Sequence, residues 1–181
     1  MNPLADKFLI ATLLVFLFWA GYVDLRTFKI PNIITIPATL GALTYYGVGY
    51  GVSGLGFSLA GFGTGMLLLI IPYLAGGMGG GDVKLLAMTG AFLGAKAVFI
   101  AFLFIAIVGG FYALSIFLMH NNGVGLLFSA LYAIRPHQLV RTLTSGANPP
   151  NAATPRLRYG LAIGLGTGLY ILTYTCGFTL F

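Results

Sequence analysis

Apolar residues follow one another in long runs along this chain, and short polar or glycine-rich segments separate the runs. The runs cover roughly residues 5–23, 33–50, 54–75, 83–95, 97–119 and 159–179. Most of them approach the ~20 residues that an α-helix needs to cross a bilayer. The pattern predicts an all-α, polytopic membrane protein with six transmembrane helices, in which residues 1–181 form a single membrane-embedded domain.

The fourth run is shorter than the others. A helix from Asp82 to Gly94 would reach only about 18–20 Å at ~1.5 Å per residue, against a hydrocarbon core of ~30 Å. We therefore expect this helix to begin below the membrane surface, after a glycine-rich loop that dips into the membrane. Fusing residues 83–119 into one helix would give a length of ~55 Å, too long for one span without extreme tilt. Six spans remain the better interpretation.

Composition and charge agree with this fold class. Hydrophobic residues make up 59% of the chain and charged residues 7%, whereas a soluble domain has about 25% charged residues. With six spans and the N-terminus outside, only Lys7 and Lys96 face the outer side. The inner side then carries Arg26, Lys29, Lys84, Arg135, Arg141, Arg156 and Arg158. This positive-inside bias predicts a multi-pass protein of the inner (plasma) membrane, and it explains the net charge of +6 without nucleic acid as a partner.

Two further patterns predict features outside the spans and between them. Residues 124–143, interrupted by Pro136, place leucines and isoleucine on one helical face. They predict a kinked interfacial helix in the long cytoplasmic loop, lying on the inner membrane surface. Small residues one turn apart allow close approach of membrane helices. Such pairs occur at Gly47/Gly51, Gly61/Gly65, Gly90/Gly94, Gly160/Gly164 and Gly164/Gly168.

Cysteine and histidine give no sign of a metal or cofactor site. Cys176 is the single cysteine, which excludes an internal disulfide and a cysteine-based zinc site. His120 and His137 lie in the long inner loop and lack partners at metal-ligand spacing. We expect neither a metal nor a cofactor.

The chain contains only three carboxylate side chains, those of Asp6, Asp24 and Asp82. Asp6 lies near the N-terminus and needs no special explanation. The six-span topology brings Asp24, at the end of the first span, and Asp82, at the start of the fourth, to the cytoplasmic membrane boundary. Ionisable groups near membrane depth are costly and usually functional. Two neighbouring carboxylates share a proton, because both cannot ionise cheaply, and such a dyad can activate a water molecule.

The glycine run before Asp82 suggests how a peptide substrate reaches the acids. Gly79, Gly80 and Gly81 belong to the run, which spans residues 76–81. Glycine opens backbone conformations that are closed to other residues and lets a second backbone approach. We interpret the run as an extended strand that pairs with the substrate by strand addition.

These segments resemble a known protein family. Residues 79–82, Gly-Gly-Gly-Asp, resemble the G-x-G-D signature of intramembrane aspartyl proteases, and residues 80–87 are similar to the type IV prepilin peptidase pattern within that group. Residues 24–26 followed by 30–32 resemble that family's first-aspartate segment, and residues 156–164 give a third match before the last span. The three ordered matches cover most of the chain.

The resemblance implies an aspartic-type endopeptidase, a prepilin leader peptidase. Such an enzyme hydrolyses the peptide bond between the basic leader and the apolar helix of a type IV pilin-like precursor. It implies that Asp24 and Asp82 are catalytic, that the active site faces the cytoplasm, and that the partners are the precursor and the lipid bilayer.

The chain also departs from part of the family. Large members carry an N-terminal extension with a four-cysteine metal motif and a methyltransferase activity, whereas this chain begins at the first span and has one cysteine. We therefore expect no methylation. The layout resembles the short form that accompanies tight-adherence (Flp-type) pili, and equally the archaeal preflagellin peptidases.

Simpler explanations exist for the individual residues. Asp82 could be a helix N-cap, and Asp24 could form an interfacial ion pair with Arg26. Lys84, Pro31 and Asn32 are candidates for supporting the site. Lys84 could orient the site, depress the pKa of a carboxylate, meet anionic lipid or act as a topology signal, while Pro31 and Asn32 would shape the start of the second span. For the whole chain, the alternatives are a small proton-coupled transporter with Asp24 and Asp82 as a relay, and a non-enzymatic assembly protein.

Overall fold

The computed structural model describes residues 6–27, 29–74, 78–119 and 159–176, which are helical apart from short connections. The helices are α1 (Lys7–Thr27), α2 (Asn32–Leu74), α3 (Gly80–Leu93), α4 (Ala95–Met119) and α5 (Tyr159–Thr175). Within these residues, α1, α2 and the Ala95–Tyr112 part of α4 are long and apolar enough to cross a membrane. The interfacial helix predicted over 124–143, His120 and His137 lie outside the described residues.

The outer surface of the bundle is apolar. Large hydrophobic side chains stand exposed along α1, α2 and α4, among them Phe18, Val52 and Phe111. Several buried side chains are polar instead, such as those of Ser58 and Thr89. A helix that is apolar all round belongs in the core of a large protein or in a membrane. The prediction of a helical membrane protein is confirmed, while six spans with an external N-terminus remain a prediction.

Helix α2 is a helical hairpin. Gly51 has φ 64° and ψ −148°, a backbone conformation that favours glycine. Beyond it the chain folds back, because a Cβ atom added at Gly54 would lie 2.2 Å from the carbonyl oxygen of Tyr46. In a continuous helix these two residues would be about 12 Å apart along the axis. Two arms result, residues 32–50 and 52–74, and Gly51 serves as the turn between them.

Helix α3 lies at the centre of the bundle. Every side chain from Asp82 to Leu93 except that of Lys84 is buried. The two arms of α2 also satisfy the last carbonyls of α3, which have no partner within their own helix. The hydroxyl of Ser58 donates to the carbonyl oxygen of Ala91 at 2.8 Å, and the hydroxyl of Tyr46 donates to that of Phe92 at 2.8 Å. A short helix can therefore end inside the apolar bundle with its polar groups paired.

Glycines bring the backbones of α2 and α3 into direct contact. A Cβ atom at Gly61 would lie 2.0 Å from the carbonyl oxygen of Gly90, and one at Gly90 would lie 2.1 Å from that of Gly61. One turn further along α2, a Cβ atom at Gly65 would lie 2.4 Å from the carbonyl oxygen of Leu86. The predicted close approach is confirmed at these three glycines. Gly94 differs, since its φ of 80° forms the turn from α3 into α4.

We expect Gly61→Ala to destabilise the protein, because the added methyl group would collide with backbone atoms that cannot rotate away. Overpacking of this kind costs about 1–3 kcal/mol. Gly63→Ala is the matched control, since a Cβ atom there has nothing within 4 Å. The measurement is the thermal unfolding midpoint of the purified protein in detergent. Equal midpoints for the two variants would contradict the backbone contact.

Candidate active site

Asp24 continues the buried stripe of α1. Leu13, Leu17 and Ala20 are buried at helical spacing, and Asp24 follows at the next position of the same face. Helix α1 continues to Thr27, so Asp24 lies within its last turn and not after its end, as the predicted span of 5–23 implied. The Asp24 side chain is only 6% exposed. Because Asp24 lies on the same helical face as these buried residues, its carboxylate points into the bundle.

Asp82 lies in the first turn of α3. The helix begins at Gly80 after the extended residue Gly79, with φ −81° and ψ 147°, which is the N-cap. The carboxylate Oδ2 of Asp82 accepts the backbone N–H of Gly79 at 3.1 Å, and the N–H of Asp82 donates to the Gly79 carbonyl oxygen at 3.1 Å. This is the carboxylate half of a capping box. The N-cap is Gly79, three residues before Asp82, so the interpretation of Asp82 as the N-cap is wrong.

The structure brings the two acids to the same end of the bundle. Asp82 is 8% exposed, and the two carboxylates interact electrostatically. The first turn of α5 lies against Asp24, because Gly160 is in contact with its side chain, and Tyr159 in the same turn interacts electrostatically with Asp82. Two buried carboxylates are thus placed together by α1, α3 and α5. The sequence predicts no place in the site for Gly160, which only its spacing of four from Gly164 marks as a candidate for close helix packing.

The glycines before Asp82 do not form a continuous extended strand, while their role in substrate access stays a prediction. Gly80 and Gly81 lie in the first turn of α3, so the interpretation of them as an extended strand is wrong. A Cβ atom at Gly81 would lie 3.1 Å from the Ile30 Cβ atom, and one at Gly80 would lie 3.4 Å from the Tyr73 ring. The absence of side chains lets the start of α3 pack against these two residues. Residues 75–77 lie outside the described part of the chain.

Lys84, Asn32 and Pro31 connect the beginnings of α3 and α2. The Lys84 Nζ atom donates to the Asn32 Oδ1 atom at 2.9 Å, and both side chains are exposed. The Pro31 carbonyl oxygen accepts the N–H of Ile34 at 3.1 Å, immediately before α2 starts. Pro31 therefore stands at the entry to α2, as predicted, while the Asn32 side chain bonds to α3. An exposed contact of this kind stabilises only modestly.

The third acid, Asp6, lies at the opposite end of α1. Its Oδ1 atom accepts the backbone N–H groups of Phe8 at 3.1 Å and Leu9 at 3.3 Å, which makes it the N-terminal cap of the helix. The Tyr45 hydroxyl donates to the other oxygen, and this hydrogen bond lowers the pKa of Asp6. Along the helix axis Asp6 is about 27 Å from Asp24. Asp6 therefore has a structural role outside the site.

The Arg26 side chain packs on a neighbouring aromatic ring. The Arg26 guanidinium is exposed and lies over the Tyr22 ring, 4.9 Å from its centroid.

Among the described residues, no group of three or more histidine, cysteine or carboxylate side chains is placed to hold a metal ion. The chemistry that the arrangement offers is that of two carboxyl groups, which can remove a proton from water and supply one to a carbonyl oxygen.

The sequence of this helical membrane protein matches a known family over more than half of its length. Residues 11–114 match the family described as type IV leader peptidases, and the chain belongs to this family. The matched range contains Asp24, Asp82 and the glycines between α2 and α3, and it ends before α5.

Curated relatives agree with the family match. The chain is 36% identical over 108 residues to a prepilin leader peptidase/N-methyltransferase of Aeromonas hydrophila, and 34% identical over 108 residues to one of Aeromonas salmonicida (strain A449). Each alignment covers 56% of this chain and 37% of the relative, so the chain spans little more than a third of these proteins. No solved structure shows significant similarity.

We expect Asp82→Asn to keep the fold better than Asp82→Ala. The amide oxygen of asparagine can still accept the Gly79 N–H, whereas alanine leaves this donor without its partner. Leaving a part-buried donor unpaired costs about 1–3 kcal/mol. Thermal unfolding of the two purified variants should give a lower midpoint for Asp82→Ala. Identical midpoints would show that the hydrogen bond contributes nothing to stability.

Proposed function

We propose that the chain is a prepilin leader peptidase of the aspartic type, with Asp24 and Asp82 as its catalytic pair. The observation that carries the proposal is the electrostatic interaction between two buried carboxylates from different helices in a member of the type IV leader peptidase family. Burying carboxylates among apolar helices is costly, and such groups are retained mainly for function.

The proposed reaction is hydrolysis of a peptide bond through a water molecule held between the two carboxyl groups. The ionised carboxylate takes a proton from the water as its oxygen attacks the carbonyl carbon, and the protonated carboxyl group gives its proton to the carbonyl oxygen. The resulting gem-diol then collapses: the C–N bond breaks as the leaving nitrogen takes the proton held by the former base, and the other carboxylate takes a proton from a gem-diol hydroxyl, which restores the dyad. Water is consumed, and a new amine and a new carboxyl group are formed.

The helix ends support different roles for the two acids. Asp82 lies in the first turn of α3 and accepts a backbone N–H, and the N-terminus of a helix favours negative charge. Asp24 lies in the last turn of α1, where the free carbonyl groups disfavour negative charge. We assign the general base to Asp82 and the general acid to Asp24.

The proposed substrate is a pilin-like precursor with a short basic leader before an apolar helix. Asp24 and Asp82 lie at one end of the bundle, and Asp6 lies at the other. If the chain has six spans with the N-terminus outside, the dyad faces the cytoplasm of the inner membrane, where the leader remains. The two arms of α2, separated at Gly51, support counting them as two of the six spans. No contact among the described residues favours a proton relay for transport.

We expect Asp24→Asn and Asp82→Asn each to abolish leader removal, because neither amide can exchange the required proton. Asp6→Asn is the matched control, since it changes the third carboxylate of the chain about 27 Å along α1 and keeps an oxygen acceptor for the cap. The measurement is cleavage of a co-expressed prepilin, read as a mobility shift, with membrane insertion checked for each variant. Near-normal processing by either dyad variant would refute the catalytic assignment.

A further inference from the structure

We propose that the first turn of α5 is a third part of the active site, in which Gly160 positions the Asp24 carboxylate. The inference rests on the proposed function and assigns to it a residue outside the range that matches the family, 11–114. Gly160 itself offers no functional group. Its contribution is the space that its missing side chain leaves.

The contact between Gly160 and Asp24 is very close. A Cβ atom built on Gly160 would lie 2.8 Å from Asp24 Oδ2, 3.1 Å from its Cγ atom and 3.2 Å from its Cβ atom. Real Cβ atoms essentially never come within 3.0 Å of such a neighbour. Any side chain at this position must therefore displace either the carboxylate or helix α5.

Helix α5 has little freedom to move away. A Cβ atom at Gly166 would lie 2.6 Å from the Ile105 Cα atom of α4, so α5 rests on the backbone of α4 there. Its Ile163 and Thr167 side chains are fully buried. Packed interiors resist displacement of whole elements, whereas the Asp24 side chain has two rotatable bonds. A methyl group at 160 therefore acts mainly on the carboxylate.

The neighbouring residue links the same turn to the other acid. Tyr159 is half-buried and interacts electrostatically with Asp82, while its ring packs on α4, 3.5 Å from the Cβ position of Gly109. Consecutive residues of one turn thus meet the Asp24 side chain directly and the Asp82 carboxylate through its charge. The first turn of α5 sets the placement of the two carboxylates relative to each other.

We expect Gly160→Ala to lower kcat for leader cleavage about 100-fold with KM little changed, because a displacement of ~1 Å at reacting groups costs on that order. Gly168→Ala is the control on the same helix, since a Cβ atom there has nothing within 4 Å. Gly164→Ala is a second control, because its nearest neighbour is the Leu17 carbonyl oxygen at 3.9 Å. Wild-type activity in Gly160→Ala would overturn the proposal.

The pH–rate profile separates positioning from loss of folded protein. A displaced Asp24 changes its coupling to Asp82, so the limbs of the profile should shift in Gly160→Ala, whereas loss of folded enzyme lowers only the amplitude. The other titratable or charged groups that the described residues bring to this end of the bundle are the same in every variant: Tyr22, Arg26, Lys29, Tyr73, Lys84, Tyr112 and Tyr159. An unshifted profile of reduced amplitude would overturn the positioning role.

A cross-linking experiment tests the contact without any activity. In a Cys176→Ser background, the pair Asp24→Cys and Gly160→Cys should form a disulfide on mild oxidation in membranes, because the Cβ separation of 3.2 Å is close to disulfide geometry. The pair Asp24→Cys and Gly164→Cys, one turn further along α5, should not. Absence of the first cross-link would overturn the inference even if Asp24 and Asp82 prove catalytic. If the cross-link forms but Asp24→Asn still removes the leader, the contact stands and the proposed function is refuted.

Discussion

The backbone of α2 touches the backbone of α3 at Gly61 and Gly90, and the rest of the bundle depends on this contact. Dispersion and hydrogen bonding hold membrane helices together, since lipid is as apolar as the side chains. Close approach allows both arms of α2 to pack along α3, and the hydroxyl groups of Tyr46 and Ser58 then reach its last carbonyls. A helix of only 14 residues is thereby buried from Asp82 to Leu93, with Lys84 as the one exposed side chain in that range. The position of Asp82 follows from the position of that helix.

The two acids occupy opposite kinds of helix end. Asp82 is held by a backbone N–H at the start of α3, and Asp24 lies in the last turn of α1. The two helix ends favour negative charge unequally because of their backbone dipoles, so this difference between the acids needs no additional charged side chain. Helix α5 completes the arrangement, because its first turn presents Gly160 to one acid and Tyr159 to the other.

Glycines carry much of the specificity of this fold, and they act in different ways. Gly51 turns the α2 hairpin through a positive φ, and Gly61 admits a neighbouring backbone. Gly79 supplies the N–H that binds Asp82, and Gly160 leaves room for the Asp24 carboxylate. A chain with so few polar groups relies on shape and on backbone hydrogen bonds to position its buried acids. The 27 glycines of the chain are consistent with this dependence.

The sequence by itself determined the class of protein, the family and the two candidate acids. Apolar runs, scarce carboxylates and the short motif around Asp82 are local properties, and their physical meaning does not depend on distant residues. Tertiary structure decided the start of α3 at Gly80, the bond between Lys84 and Asn32, and the contact of Gly160 with Asp24. Spacing along a chain reports which face a residue occupies. Which neighbour meets that face is decided only when the helices pack.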